Sequence, residues 1–166
     1  MNKYINPDDK VIEVGSGAAF SQFYIKNKIL HTDFIENKPS WINKNVNAMD
    51  MEKHFDPNSI DVIIASHTIH HFSCPRNFFQ SCLKILKPNG YFFAEDFTFH
   101  QPFNDGEKSE LSKDFFANYI VSYKDYASDL HKAGFAGIVS DDMTKSWSDF
   151  TKSRHKAYKD NIARHT

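Results

Sequence analysis

The stretch Val11–Phe20, "VIEVGSGAAF", decides the fold of this chain. A short, mostly β-branched run ends there, and two glycines follow one residue apart. Because glycine has no Cβ, the backbone of such a strand-to-helix turn can approach a ligand closely. A helix that begins after the turn would add free N–H groups and the positive end of its dipole. The pattern therefore predicts a ligand site at the end of a first strand.

Three classes of ligand use a turn of this kind. A nucleoside triphosphate loop needs a Lys-Ser/Thr pair after a longer glycine loop, and "GSGAAFS" has none. A dinucleotide fingerprint needs a small residue at position 20, where the ring of Phe20 would obstruct the packing of helix on strand. This disfavours a nicotinamide dehydrogenase, although tight binding of NAD would support that hypothesis again. The residues around the two glycines must therefore identify the third class.

The rest of the chain alternates short β-branched runs with helical patterns, which is typical of an α/β sheet with mostly parallel strands. The predicted strands are Lys10–Val14, Ile29–Asp33, Val46–Asn47, Ser59–Ala65, Tyr91–Glu95 and Gly137–Ser140. The predicted helices are Ala18–Lys26, Pro75–Leu86, Ser122–Ala133 and Trp147–Arg164. The segment Thr98–Lys113 contains Pro102, Asn104, Asp105 and Gly106 and is predicted to be a loop that borders the ligand crevice.

Composition sets limits on partners and compartment. The 166 residues fit one domain, and a formal net charge of −1 gives no electrostatic reason to expect a nucleic-acid or membrane partner. The two cysteines, Cys74 and Cys82, form no disulfide framework, so we expect a cytoplasmic protein. The N-terminus lacks an apolar stretch suited to a signal peptide, and no run is long enough to span a bilayer.

The frame of the glycine turn identifies a family. Glu13, the two glycines and Ala19 form the pattern E-x-G-x-G-x-A, which resembles the S-adenosylmethionine-binding turn of class I methyltransferases. "SIDVIIASHTIHHF" resembles the fourth strand and following "LHH" of that family, and "FFQSCLKILKPNGYFFAED" resembles its next helix, "LKPGG" turn and fifth strand. More loosely, "YASDLHKAGFAGIVSDDMT" is similar to small-molecule members. The resemblance implies a Rossmann-like three-layer sandwich and methyl transfer from S-adenosylmethionine, with S-adenosylhomocysteine as product.

The resemblance also implies where the cofactor binds. Asp33 would accept hydrogen bonds from both ribose hydroxyls, Asn47 would accept from the adenine amino group in place of the usual Asp, and Ser66 would lie near the sulfonium. Glu13 would order the amino group of the cofactor, the alternative being a solvent-facing carboxylate. Phe34 and Met49 would enclose the adenine, although core residues would look the same. The full expected set is Glu13, Gly15, Ser16, Gly17, Asp33, Phe34, Asn47, Ala48, Met49 and Ser66.

Histidines follow the fourth predicted strand. Histidine exchanges protons near neutral pH, so His70, and after it His67, are the candidates for a base that deprotonates an O or N acceptor. For either one, a bond to the loop backbone is an equal alternative. The expected substrate contacts are His71, Asp96 and His100. His67, His70 and His71 would share one helix face, a spacing that also suits a metal, but no nearby Cys or acid completes a ligand set, so we expect none.

Two departures from the family concern the ends of the chain. The family sheet has strand order 3-2-1-4-5-7-6, but nothing after Thr144 is predicted to form a seventh strand, and helices that commonly precede the first strand are missing. Either the chain is a fragment, which we prefer, or another chain supplies the strand. An open sheet edge would favour pairing with a second copy, as in a homodimer. The alternative to an enzyme that methylates a small metabolite is a non-catalytic cofactor-binding remnant or partner subunit.

Overall fold

The computed structural model of the protein describes residues 2–17, 19–33 and 43–162. The chain divides into two compact units, Met1–Ala136 and Gly137–Thr166. This division does not test the expectation of a single domain over residues 1–166, which stays a prediction.

The main sheet has five parallel strands in the order β3-β2-β1-β4-β5. These strands are β1 (Val11–Val14), β2 (Ile29–Asp33), β3 (Lys44–Asn45), β4 (Ile60–Ser66) and β5 (Leu86–Glu95). The order reverses direction between β1 and β4, which is the point where doubly wound sheets bind ligands. The Rossmann-like α/β prediction is therefore confirmed. The described residues add no sixth or seventh strand to this sheet.

A second, two-stranded parallel sheet pairs β6 (Thr98–Phe99) with β7 (Val121–Ser122). The described residues also form four α-helices, which are α1 (Pro75–Ile85), α2 (Asp105–Phe115), α3 (Tyr123–Ala133) and α4 (Thr144–Ile162). They contain in addition the 3₁₀ turns Asn2–Tyr4, Phe20–Phe23, Ala48–Lys53 and Ile69–His71. The prediction of α1, α3 and α4 is confirmed to within three residues at each described end. Ser122 caps α3 by accepting a hydrogen bond from the Asp125 amide, and Gly134 ends it in a left-handed conformation.

Apolar residues cover both faces of the main sheet. On one face Val11, Ile25, Ile29, Val62 and Ile64 form a buried cluster. On the other face, α1 places the buried rings of Phe78 and Phe79 against Phe92 of β5. A parallel sheet must be covered on both faces because its strands are connected by crossovers, and this arrangement does so.

The prediction of a helix over Ala18–Lys26 is wrong. The described residues form one 3₁₀ turn, Phe20–Phe23, and Ala19 before it has a left-handed backbone (φ 57°). The side chain of Gln22 then donates to the carbonyls of Ile25 and Asn27 and accepts from the amide of Ile29. These bonds return the chain to β2 at once and leave no length for a longer helix.

The prediction that Thr98–Lys113 is a loop is wrong as well. It contains β6 and most of α2, whose start is a capping box. The Asn104 side chain accepts from the Glu107 amide at 2.9 Å, and the Glu107 carboxylate accepts from the Asn104 amide at 2.8 Å. The spacing N-x-x-E was visible in "NDGE", but Asp105 and Gly106 between the two residues look like a turn.

Two short strands were also misplaced. β3 lies at Lys44–Asn45 instead of Val46–Asn47, because the side chain of Asn47 caps a 3₁₀ helix, Ala48–Lys53, and so ends extended structure. No strand forms at Gly137–Ser140, where Gly137 has φ +64°, a conformation outside the extended region.

Within the described part of the chain, no helix combines the length and the apolar character needed to cross a bilayer.

Candidate functional site

Four parallel strands bring polar residues to one edge of the sheet. The carboxyl ends of β1, β2, β4 and β5 lead into Gly15, Asp33, His67 and Asp96 respectively. In open α/β sheets ligands bind outside this edge. The site is therefore assembled from residues that are up to 81 positions apart in sequence.

The glycine turn is held in a left-handed conformation. Gly15 has φ 65° and Gly17 has φ 48°, values that residues with a Cβ rarely adopt. Ser16 anchors the turn to β2, because its amide donates to the Thr32 carbonyl at 3.1 Å and its hydroxyl lies within hydrogen-bonding distance of the same oxygen and of the Glu13 carbonyl. A Cβ on Gly17 would meet nothing within 4 Å, so the described residues leave space beside this part of the turn.

Asp33 contacts the same turn. The Gly17 amide donates to Oδ2 of Asp33 at 3.0 Å, which holds the carboxylate at the end of β2 beside the glycines. The Val46 amide donates to the Asp33 carbonyl, so the segment that follows β3 lies next to it. There Asn47 is exposed and its side-chain oxygen accepts from the Met49 amide, while Ala48 is buried and Met49 is half-buried. Phe34, predicted beside the adenine, lies outside the described residues.

Glu13 is buried and paired with a histidine. Its Oε2 lies 2.8 Å from Nδ1 of His31, and both residues are about 95% buried. The alternative of a solvent-facing carboxylate is wrong, because residue 13 lies on a central strand with β2 and β4 on either side. The pairing with His31 was not predicted, because its only sign in the sequence is that His31 and Glu13 belong to two consecutive predicted strands.

A short, buried polar contact joins His70 and Asp96. Nδ1 of His70 lies 2.6 Å from Oδ1 of Asp96, and their side chains are 9% and 3% exposed. The Phe97 amide also donates to Oδ1, and the amides of Ile69 and His70 donate to Oδ2. Because a carboxylate only accepts, Nδ1 is the donor of this contact, and in the neutral form of the ring Nε2 is then the acceptor atom. Within the described residues, Nε2 has no hydrogen-bond partner.

The other two histidines flank this pair. The ring of His71 lies 4.0 Å from that of His70, and its Nδ1 is 3.1 Å from the Phe116 carbonyl. His67 has φ 50°, and its Nε2 is 4.0 Å from a carboxylate oxygen of Glu95. Since His70 and His71 lie in a 3₁₀ turn that excludes His67, the expectation of one shared helix face is wrong.

The remaining expected contact, His100, is exposed beyond β6. Over residues 2–17, 19–33 and 43–162, no three His, Cys, Asp or Glu side chains are grouped as metal ligands would be. The expectation that the site needs no metal stays a prediction.

Two tyrosines behind the His70–Asp96 pair were not expected. Burial raises the pKa of Tyr126 above its usual value, and the negative charge of Asp96 adds to this effect. Burial likewise raises the pKa of Tyr119, whose hydroxyl donates to Asp129 at 2.9 Å. The buried hydroxyl of Tyr126 has no hydrogen-bond partner among the described residues. The hydroxyls of Tyr119 and Tyr126 therefore stay protonated at neutral pH.

A comparison with protein families decides what this arrangement is. The model described as "Methyltransferase domain" matches residues 12–94, half of the 166-residue chain. The chain belongs to the methyltransferase domain family. The match begins in β1 and ends in β5, so it contains the glycine turn, Asp33 and the three histidines but not Asp96. No curated protein sequence matches this family member.

Solved methyltransferase structures share the fold. Phosphoethanolamine N-methyltransferase 2 of Haemonchus contortus, solved with phosphomonomethylethanolamine and S-adenosylhomocysteine, superposes with a TM-score of 0.76 at 17% identity over 96% of this chain. A S-adenosylmethionine-dependent methyltransferase of Archaeoglobus fulgidus gives 0.63 at 16% identity, over 81% of this chain and 64% of that chain. Geranyl diphosphate C-methyltransferase of Streptomyces coelicolor A3(2) gives 0.62 at 15% identity, over 77% and 54%.

This chain covers less than two thirds of the length of each of the three solved chains. This methyltransferase-family chain spans 41% of the Haemonchus chain. At such identities the likeness establishes the fold alone.

Proposed function

We propose that the protein transfers a methyl group from S-adenosylmethionine to an oxygen or nitrogen atom of a small metabolite. The observation that carries this proposal is the His70–Asp96 pair, which lies at the same sheet edge as the glycine turn and Asp33. Membership of the methyltransferase domain family and the likeness to structures solved with S-adenosylhomocysteine support it.

The residues at the sheet edge fit the cofactor. The backbone of Gly15–Gly17 has left-handed glycines and open space beside Gly17, as a close approach by a ligand requires. Asp33 offers a carboxylate to ribose hydroxyls, Asn47–Met49 border the adenine, and the cofactor set includes Glu13, Ser66 and Phe34. The bound cofactor supplies a methyl carbon that is already activated by a positive sulfonium sulfur. The carboxylates of Asp33 and Glu95 at this edge favour a positive charge.

The protein contributes orientation and a base. Methyl transfer is an in-line displacement, so rate depends on holding the acceptor opposite the sulfur–carbon bond and excluding water. Asp96 fixes the ring of His70 so that Nε2 takes the proton that the acceptor atom releases as it bonds to the methyl carbon. When bound, S-adenosylmethionine would supply the methyl group and would keep the electron pair of the sulfur–carbon bond, while His70 would hold the proton of the acceptor. His67 is the second candidate base, and His71 and His100 are proposed acceptor contacts.

The proposal also covers the methyl acceptor, the compartment and the protein partner. The net charge of −1 argues against nucleic acid and membrane partners, so the proposed acceptor is a small molecule. The proposed compartment is the cytoplasm, because the two cysteines make no disulfide framework. A second copy of the chain is the candidate protein partner, at the outer edge of the sheet.

Calorimetric titration with S-adenosylhomocysteine, with NAD as the control, tests the proposal first. We expect micromolar binding of S-adenosylhomocysteine alone. A panel of small amines and hydroxyl compounds is then added with S-adenosylmethionine, and S-adenosylhomocysteine formation is measured with wild-type protein and His70→Ala. Acceptor-dependent formation that His70→Ala abolishes supports the enzyme. Binding without turnover for any acceptor supports the non-catalytic subunit, and absence of binding overturns both.

A further inference from the structure

Thr68 fits into the space left by the missing Cβ of Gly15. A Cβ built on Gly15 would lie 2.3 Å from Oγ1 of Thr68, 2.5 Å from its Cγ2 and 2.9 Å from its Cβ. Such distances are far inside van der Waals contact, so the Thr68 side chain occupies the position that any other residue at 15 would need. Thr68 is itself 8% exposed, and this contact is part of the packed interior.

The hydroxyl of Thr68 lies against the ends of two strands. Oγ1 is 3.4 Å from the Val14 carbonyl, 3.3 Å from the Gly15 carbonyl and 3.1 Å from the Ser66 carbonyl. One hydroxyl carries one proton, so it can donate to one of these oxygens at a time. On the β2 side the turn is held by Ser16 and Asp33, and Thr68 makes the corresponding contact on the β4 side.

Thr68 also begins the segment that presents His70. The amides of Ile69 and His70, the next two residues, donate to Asp96, which in turn holds the His70 ring. Asp96 therefore fixes this segment from the β5 side, and Thr68 fixes its spacing from the glycine turn. Thr68 contacts Gly15 of the turn and stands two residues before His70 in the chain. A displacement of Thr68 would therefore move the turn, the backbone of His70 or both.

We propose that Thr68 is a positioning residue that sets the distance between the cofactor turn and His70. The proposal rests on the proposed function, since it assigns the cofactor to the turn and the base to His70. We expect the shape of the Thr68 side chain to matter more than its hydroxyl, because the contact with Gly15 is steric and the three carbonyl oxygens near Oγ1 lie at 3.1–3.4 Å, so none of them accepts a short hydrogen bond.

A double-mutant cycle tests the steric contact. Affinity for S-adenosylhomocysteine is measured for wild type, Gly15→Ala, Thr68→Ala and the double variant, each shown by thermal melting to be folded at the temperature used. We expect Gly15→Ala to lower affinity about 50-fold in the wild-type background and only about fivefold beside Thr68→Ala, because the second change removes Oγ1 and Cγ2, the two atoms of Thr68 nearest to the added Cβ. The remaining loss comes from the left-handed backbone of residue 15 and from Cβ of residue 68, which would still lie 2.9 Å from the added Cβ.

Gly17→Ala is the matched control. Gly17 shares the left-handed backbone, but its Cβ would meet nothing within 4 Å. Its effect on affinity, whatever the size, should be the same in both backgrounds to within about twofold. An equal loss for Gly15→Ala in both backgrounds, while wild type binds, overturns the role of Thr68 alone. Failure of wild type to bind overturns the proposed function and this inference with it.

Two further variants separate positioning from simple packing. Thr68→Val keeps the shape, so its affinity should stay within about threefold of wild type, whereas Thr68→Ala should lose about tenfold. At saturating S-adenosylhomocysteine, the ring NMR signals of His70 should shift in wild type and Thr68→Val, and shift less in Thr68→Ala. If Thr68→Ala lowers only the melting temperature and leaves affinity and the His70 shift unchanged, the residue merely packs and the proposal is wrong.

Discussion

Nδ1 of His70 and Oδ1 of Asp96 are 2.6 Å apart in a nearly closed environment, and backbone amides bind both carboxylate oxygens. The carboxylate is thus held by donors on two segments, the residues after β4 and those after β5. From the sequence, His70 was predicted to be the base and Asp96 a substrate contact. The contact between them instead favours a role for Asp96 in orienting the His70 ring. His70 presents Nε2 to the site, and Asp96 fixes the ring from behind.

Replacing Asp96 by Asn should disturb the tautomer of His70. An amide oxygen accepts more weakly than a carboxylate, and the NH₂ group of the new Asn competes as a donor. The ring proton of His70 should therefore be on Nδ1 in only some of the molecules and on Nε2 in the others. We expect acceptor-dependent methyl transfer to fall about 100-fold or more while affinity for S-adenosylhomocysteine changes little. ¹⁵N NMR of the His70 ring reports the tautomer directly, and Asp105→Asn, on the exposed start of α2, is the control. Unchanged ring signals would contradict the assignment.

Removal of the Asp33 carboxylate should weaken cofactor binding. Asp33→Ala loses the acceptor for the Gly17 amide and the proposed acceptor for the ribose hydroxyls. Hydrogen bonds to charged groups contribute about 1.5–3 kcal/mol, so affinity for S-adenosylhomocysteine should fall about 10- to 100-fold by calorimetry. Asp50→Ala removes an exposed carboxylate that pairs with Lys53 and should leave affinity unchanged. Equal affinities for the two variants would place the cofactor elsewhere.

The pair of Glu13 and His31 should matter for stability. His31→Phe keeps a ring in the buried position but removes the donor to Glu13, leaving a carboxylate in the interior without this partner. We expect the free energy of unfolding in urea to fall by about 2–4 kcal/mol at neutral pH. His131→Phe, on the exposed face of α3, is the matched change and should cost less than about 0.5 kcal/mol. A stable His31→Phe protein would mean that Glu13 is satisfied without the histidine.

Acid stability should depend on Glu52. The hydroxyl of Ser81 donates to this carboxylate and Lys84 lies 3.1 Å away, and the pKa of Glu52 is lowered from 4.5 to about 2. A lowered pKa in the folded state contributes stability above pH 4.5 that is lost as pH falls toward 2. Because the side chain is about one-third exposed, we expect Glu52→Gln to cost only about 1 kcal/mol at pH 7.

Urea unfolding at several pH values measures this effect. The difference between wild type and Glu52→Gln should shrink between pH 4.5 and pH 2, whereas Glu110→Gln, an exposed carboxylate on α2, should differ little from wild type throughout. A difference that persists at pH 2 would show that packing, and not charge, stabilises the contact.

Two of the wrongly predicted elements depend on hydrogen bonds between segments that no local pattern shows. Helix patterns are local, so α1 and α3 could be predicted from apolar spacing and caps, but the 3₁₀ turn at Phe20–Phe23 is set by hydrogen bonds of Gln22 that form only when β2 is in place. The end of the short strand β3 depends in the same way on Asn47 capping the next turn. α2 was missed for a local reason, since its capping box is interrupted by a turn-like Asp-Gly pair.

The sequence by itself determined the parallel α/β sheet and the glycine turn, because a two-glycine turn after a buried strand and the alternation of strands and helices are properties of consecutive residues. Only the tertiary structure decided which side chains meet. Glu13 with His31, Gly15 with Thr68, and His70 with Asp96 are 18, 53 and 26 positions apart. Such pairs form because parallel strands end at one edge, and no local pattern records which residue will face which across that edge.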